Sequence, residues 1–146
     1  MSKGTTTRSA GPHAVELAVP ANREYTQILR LVLSGIGVAM GLNLEEIEDL
    51  KLAVGEACYS VGQDGGGPTG QLTIRAAVEN RQLTVDVRQA SDKPSLPRLF
   101  AAGESTEKSI GVALMKHMVD RVEYNMGRDS VEIRLIKYLQ QEASTP

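Results

Sequence analysis

The chain has 146 residues, 16 basic and 18 acidic side chains and a formal net charge of −2, which suits one domain around one core. A single cysteine and two histidines exclude an internal disulfide and leave too few ligands for a Cys/His zinc site, as expected in a reducing cytoplasm. With four Tyr, one Phe and no Trp, the chain offers neither a basic footprint nor a stacking platform for nucleic acid, and its core must be aliphatic.

Residues 1–14 are rich in Ser, Thr and Gly with no apolar leader, and residues 140–146 are polar, so both ends are expected to be tails around a domain over 15–139. Val15, Leu17 and Val19 alternate with Glu16 and Ala18, the period of a half-buried strand that Pro20 ends. Tyr25, Ile28, Leu29, Val32, Ile36 and Met40 then recur at steps of three and four, one face of a helix that Gly41 stops. Gly35 and Gly37 weaken that helix, which suggests close approach by a neighbouring element or a partner. The most apolar stretch, Ile28 to Leu42, is interrupted by Arg30 and Ser34 and is far short of a membrane span.

Asn43 and Glu46 have the spacing of a capping box, and Ile47, Leu50, Val54, Cys58 and Val61 hold one face of a second helix, roughly Leu44 to Val61. Gly65, Gly66, Gly67 and Pro68 make a turn, and no Gly-Lys-Ser/Thr follows that would make it a phosphate-binding P-loop. Leu72, Ile74, Ala76 and Val78, then Leu83, Val85 and Val87, are two alternating runs joined by Glu79-Asn80-Arg81-Gln82, a hairpin signal. From 89 to 109 periodicity gives way to Ser, Pro, Lys, Gly and Glu, a long loop of the lid kind. Ile110, Leu114 and Met118 restore helical spacing, and Val122 with Tyr124, then Val131, Ile133 and Leu135, make a closing hairpin across Asn125-Met126-Gly127. The order β-α-α-β-β-lid-α-β-β predicts an α+β two-layer sandwich, a mostly antiparallel sheet with helices on one face.

Glu56 stands among Leu52, Ala53, Val54, Ala57 and Cys58, so its carboxylate is expected to be partly desolvated, and Ser60 shares its face one turn on. It is either a general base or a surface acid at the rim of the core. His117 and Asp120 could pair on the last helix, although a histidine interacting with the helix C-terminus is the simpler reading.

The run Glu48-Asp49-Leu50-Lys51-Leu52-Ala53-Val54-Gly55-Glu56-Ala57-Cys58 resembles the N-box helix of bacterial anti-sigma-factor serine kinases, members of the histidine-kinase-like (GHKL) ATPase superfamily shared with gyrase. Val19-Pro20-Ala21, Glu24-Tyr25 and residues 28–35 resemble that family's first strand and helix. Ile110-Gly111, Leu114-Met115 and residues 119–122 resemble its last helix, and Lys137-Tyr138-Leu139 its final strand. The resemblance implies a Bergerat-type site for ATP and magnesium between the N-box helix, the lid and the last helix. It also implies cytoplasmic partner switching between a sigma factor and an anti-sigma-factor antagonist, and a homodimer. In the family a glutamate activates the substrate serine and an asparagine four residues on holds magnesium; here these are Glu56 and Ser60. The adenine-reading aspartate and the glycine two residues after it are Gln89 and Ser91. The paired glycines of the phosphate loop are Lys108 and Ser109, with Gly111 alone retained, and Arg30 matches an arginine of the partner-binding face. The resemblance therefore implies a regulator with a degenerate ATP site and weak or absent kinase activity, with an active serine kinase as the alternative.

Overall fold

Between Glu79 and Gln82 the chain reverses in two residues, and Asn80 and Arg81 both take left-handed backbone angles, φ 54° and 61°, which match the twist of a two-residue hairpin. The structure is a computed structural model that describes residues 13–21, 23–65, 70–90 and 107–139. Its elements are β1 (His13–Pro20), α1 (Arg23–Ala39), α2 (Leu44–Gly65), β2 (Gln71–Glu79), β3 (Gln82–Ala90), α3 (Glu107–Met118), β4 (Arg121–Met126) and β5 (Ser130–Tyr138). The strands form one sheet in the order β1-β2-β3-β5-β4, and every pairing is antiparallel. The expected α+β two-layer sandwich is what the chain adopts.

Several boundaries differ from the sequence reading. His13 and Ala14 belong to β1, where they pair with Val78 and Ala77, rather than to a tail. Gln89 and Ala90 belong to β3 rather than to a lid, because they still pair with Val131 and Ser130 of β5. Residues 107–109 are the first turn of α3. Helix α2 runs on to Gly65. Asn125 and Met126 remain paired in β4, so the last turn moves to 127–129, closed by the Gly127 N–H donating to the Ser130 carbonyl at 2.9 Å. The rest of the expected lid, residues 91–106, the turn at 66–69 and residues 1–12 and 140–146 lie outside the described residues.

One face of the sheet and the inner faces of the helices share a core that includes Leu33, Leu50, Val54, Val61, Leu83, Val85, Val87, Met115, Ile133 and Leu135. The helix faces were only partly legible. On α1 the buried line is Leu29, Leu33 and Ile36, while Tyr25 and Ile28, expected inside, are exposed, as are Leu31 at 74% and Val38 at 70%. On α3 the buried residues are Val112, Met115 and the following Val119, whereas Leu114 is exposed. Both helices carry apolar residues on more than one side, so a period alone does not say which side the sheet takes.

α1 ends in a Schellman arrangement: Gly41 has φ 82°, its N–H donates to the Val38 carbonyl at 3.1 Å, and the Leu42 N–H donates to the Gly37 carbonyl at 2.9 Å. The two other glycines of α1 differ. A Cβ on Gly37 would lie 2.6 Å from Cγ1 of Ile47 on α2, so the helices touch there, whereas nothing lies within 4 Å of a Cβ on Gly35.

The opposite face of the sheet carries a row of charges that crosses all five strands: Glu16, Arg75, Asp86, Arg134 and Glu123 stand opposite one another in turn, with alternating sign. The centre is a bidentate pair in which Arg134 Nε and Nη2 donate to the Asp86 carboxylate at 2.6 and 3.3 Å, and at the edge Arg75 meets Glu16 at 3.6 Å. Slipping β5 by two residues either way against β3 would set Asp86 against Glu132 or Arg88 against Arg134. Like charges directly opposite destabilise a ladder, so the row fixes the register.

Two outcomes follow for stability. Gly35→Ala should stabilise the fold by about 1 kcal/mol through helix propensity, and Gly37→Ala should destabilise it by about 1–3 kcal/mol through overpacking against Ile47; denaturant unfolding of the two variants measures both. Glu132 is the second case: burial and the neighbouring Asp86 carboxylate push its carboxyl above the ordinary glutamate range, against the pull of Arg134 and Arg88. The folded state therefore binds a proton that the unfolded chain has released, so this group favours folding at low pH and loses that contribution as pH rises through its folded value. In thermal melts Glu132→Gln should gain stability over the native chain near about pH 7, and the gain should shrink toward about pH 4.

Candidate functional site

The position of the site is set by α2, whose start is fixed by its cap: the Glu46 N–H donates to Asn43 Oδ1 at 2.7 Å and the Asn43 N–H donates to Glu46 Oε1 at 2.9 Å. From there Ile47, Leu50, Ala53, Val54, Ala57, Cys58 and Val61 are buried on one face. α2 is packed against both α1 and α3, and Ile47 meets α1. Asp49, Glu56 and Ser60 run along the flank of α2 away from Ile47, which is the flank nearer α3. Glu56 is half-buried, and Ser60 is buried at 1% exposure with no hydrogen-bond partner for its hydroxyl among the described residues.

Gln89 lies near the C-terminal end of β3, on the same face as Leu83, Val85 and Val87, between Leu72 of β2 and Val131 of β5. It is fully buried, and neither its carboxamide oxygen nor its nitrogen has a partner among the described residues. Gly70, just before β2, makes room for it: a Cβ there would overlap the Gln89 amide nitrogen. The Gly70 backbone is itself held by the Ala21 N–H, which donates to its carbonyl at 2.9 Å. Gly70 was missed in the sequence because nothing local marks it; its partner lies on the next strand and appears only through the register.

The other expected residues divide. α3 starts at Glu107, so the backbones of Lys108 and Ser109 form its first turn, where helix N–H groups are free to bind an anion, and Gly111 is buried in the next. β3 ends at Gln89 and Ala90, and α3 then runs toward Arg121, which pairs with Ile136 at the far end of β5. The N-terminus of α3, the C-terminal half of α2 and the end of β3 thus come to the same end of the sheet. Ser91 lies outside the described residues. Arg30 is exposed on the N-terminal half of α1, and its carbonyl accepts from Ser34 Oγ at 3.1 Å.

Two further groups are accounted for structurally. Burial pushes the Cys58 thiol up to about 12, so it stays protonated and unreactive. Asp120 makes no pair with His117; its carboxylate accepts from the Tyr138 N–H at 2.6 Å while its own N–H donates to the Ile136 carbonyl at 2.9 Å, tying the end of β5 to the end of α3. His117 is exposed.

The residues present fit a nucleotide in part. An unpaired carboxamide at the end of β3 can receive a base edge, and the first turn of α3 can receive phosphate. Ser60 offers a hydroxyl on a short arm, a poorer fixed ligand for magnesium than an amide oxygen.

The histidine kinase-like ATPase domain family matches residues 19–137 of the chain. The serine-protein kinase RsbW of Bacillus subtilis is 33% identical over 88% of this chain and 87% of its own, and that of Bacillus pumilus is 31% identical over the same shares. Among solved structures, the RsbU and RsbW domains of a Mycobacterium tuberculosis protein superpose with a TM-score of 0.67 at 16% identity, covering 90% of this chain and 34% of that one. The histidine kinase domain of a blue-light-activated kinase from Erythrobacter litoralis superposes with a TM-score of 0.55 at 15% identity, covering 83% of this chain and 62% of the other. Matched through nearly all of its folded length, the chain belongs to the histidine kinase-like ATPase domain family, alongside the serine-protein kinases RsbW.

Proposed function

We propose that the chain is an anti-sigma-type regulatory protein that controls transcription by binding a sigma factor or an anti-sigma-factor antagonist, on a scaffold whose nucleotide site is retained but whose phosphotransfer chemistry is weakened. The observation that carries this reading is Ser60. It occupies the position of the magnesium-holding asparagine, and it is buried and unpartnered beside a half-buried Glu56. A hydroxyl there reaches less far and holds a hard, octahedral cation less firmly, so phosphate placement suffers while the pocket and the fold remain.

Partner binding is assigned to α1. Ile28, Leu31 and Val38, with Gly35 among them, form an exposed apolar stripe at helical spacing, and Arg30 is exposed on the same helix. A partner helix could approach closely at Gly35, where nothing in this chain fills the space of a Cβ. The same stripe is available to a second copy of the chain.

The names of the relatives and the half-buried Glu56 support a second reading, a working serine kinase. When bound, ATP supplies the phosphoryl group. Glu56 would then take up the proton of a substrate serine hydroxyl, Ser60 would be the side-chain ligand to magnesium, and the first turn of α3, with Lys108, would hold the phosphates.

Phosphotransfer to a serine of an antagonist protein, with ATP and magnesium, separates the two. The double reversal Ser60→Asn with Gln89→Asp should transfer at least about tenfold faster than the native chain. Equal rates in the two proteins would make the native chain a kinase in its own right. Leu31→Asp should leave the melting temperature unchanged and weaken binding to a sigma factor or antagonist by about tenfold or more, measured by calorimetry.

A further inference from the structure

Gln89 raises a question of cost. Two polar atoms of one side chain, fully buried between Leu72 and Val131, have no partner among the described residues, and such groups are rare in native structures unless a ligand or water completes them. An apolar side chain of similar size would occupy the same place without that penalty. The carboxamide instead presents one acceptor and one donor side by side, and Gly70 lacks the Cβ that would displace it. A ligand that completes it must offer the complementary pair on one planar edge, as purine bases do.

We propose that Gln89 reads the base of a purine nucleotide through both carboxamide atoms and accepts 6-amino and 6-oxo purines alike. The inference rests on the nucleotide site of the preceding subsection and deepens it. Among the described residues no group holds either carboxamide atom, so none of them fixes which atom faces the 6-position. Turned one way, the oxygen accepts from the adenine amino group and the nitrogen donates to the adjacent ring nitrogen. Turned over, the nitrogen donates to a 6-oxo group and the oxygen accepts from the protonated ring nitrogen beside it. A carboxylate oxygen facing the 6-substituent can only accept; there it pairs with a 6-amino group and repels a 6-oxo oxygen. The carboxamide therefore removes the discrimination that an aspartate would impose.

The experiment is calorimetric binding of ATP and of inosine triphosphate, with magnesium, to the full chain. The two nucleotides differ in the 6-substituent and the proton on the neighbouring ring nitrogen. The native chain should bind them within about threefold of one another, and Gln89→Asp should prefer ATP by at least about tenfold. Gln89→Leu guards against a failure of the aspartate variant to fold. It should melt above the native chain in the absence of nucleotide and lose affinity for both nucleotides by about tenfold, to the same degree. ATP bound by the native chain more than about tenfold tighter than inosine triphosphate would overturn the inference and leave the nucleotide site standing. Undiminished binding to Gln89→Leu would also overturn it, by showing that the side chain does not touch the base. If neither nucleotide binds the native chain or any variant, the nucleotide site fails and this inference with it.

Discussion

α2 can lie flush on β3 and β5 because the face it turns to them is apolar and, at Ala53 and Ala57, also small. Small side chains let the helix backbone approach the sheet, and the capping box at Asn43 and Glu46 together with the Gly37–Ile47 contact fix where along the sheet it starts. Every functional position depends on that seating. Glu56 is half-buried at the rim of the packed face, and Ser60, one turn on along the same flank, is buried.

The two faces of the sheet solve different problems. The face under the helices is held by burial of aliphatic side chains, which is strong but indifferent to a slip of two residues, since one Val or Leu replaces another. The other face supplies the missing specificity through charge. The Asp86–Arg134 pair is bidentate and part-buried, and the flanking Glu16, Arg75 and Glu123 extend its alternation to both edges. The register so fixed carries Gln89 to its place between Leu72 and Val131 and over Gly70. A charged row on one side of the sheet thus positions Gln89 on the other.

How much of this was legible beforehand depended on how local the signal was. The hairpin at Asn80 and Arg81, the stop at Gly41 and the Asn43–Glu46 cap are each decided within a few residues and appear where the spacing places them. Helix faces were less certain, because α1 is apolar on two sides: Leu33 was overlooked and Ile28 was assigned to the core although it is exposed. Asp120 shows the limit most clearly. Its neighbour in sequence is His117, but the group it serves is the Tyr138 N–H, which only the folding of β5 back beside the end of α3 brings near. Gly70 and Gln89 are a second such pair, joined through the register of β2 and β3.

The unpaired atoms of Ser60 and Gln89 bear on why the site differs from its family's pattern without being erased. A site under no demand would be expected to fill with apolar side chains, since each buried orphan group costs about 1–3 kcal/mol against a total stability of about 5–15 kcal/mol. On the proposed function, both positions instead keep hydrogen-bonding groups but exchange strong, specific ones for weaker or less selective ones: an amide for a hydroxyl, a carboxylate for a carboxamide. Phosphotransfer depends on placement to within fractions of an ångström, while binding tolerates looser contacts, so such exchanges weaken catalysis far more than occupancy. A regulator that must change its affinity for partners when a nucleotide binds needs occupancy alone, because any ligand that prefers one state of the protein shifts the balance between states whether or not it reacts.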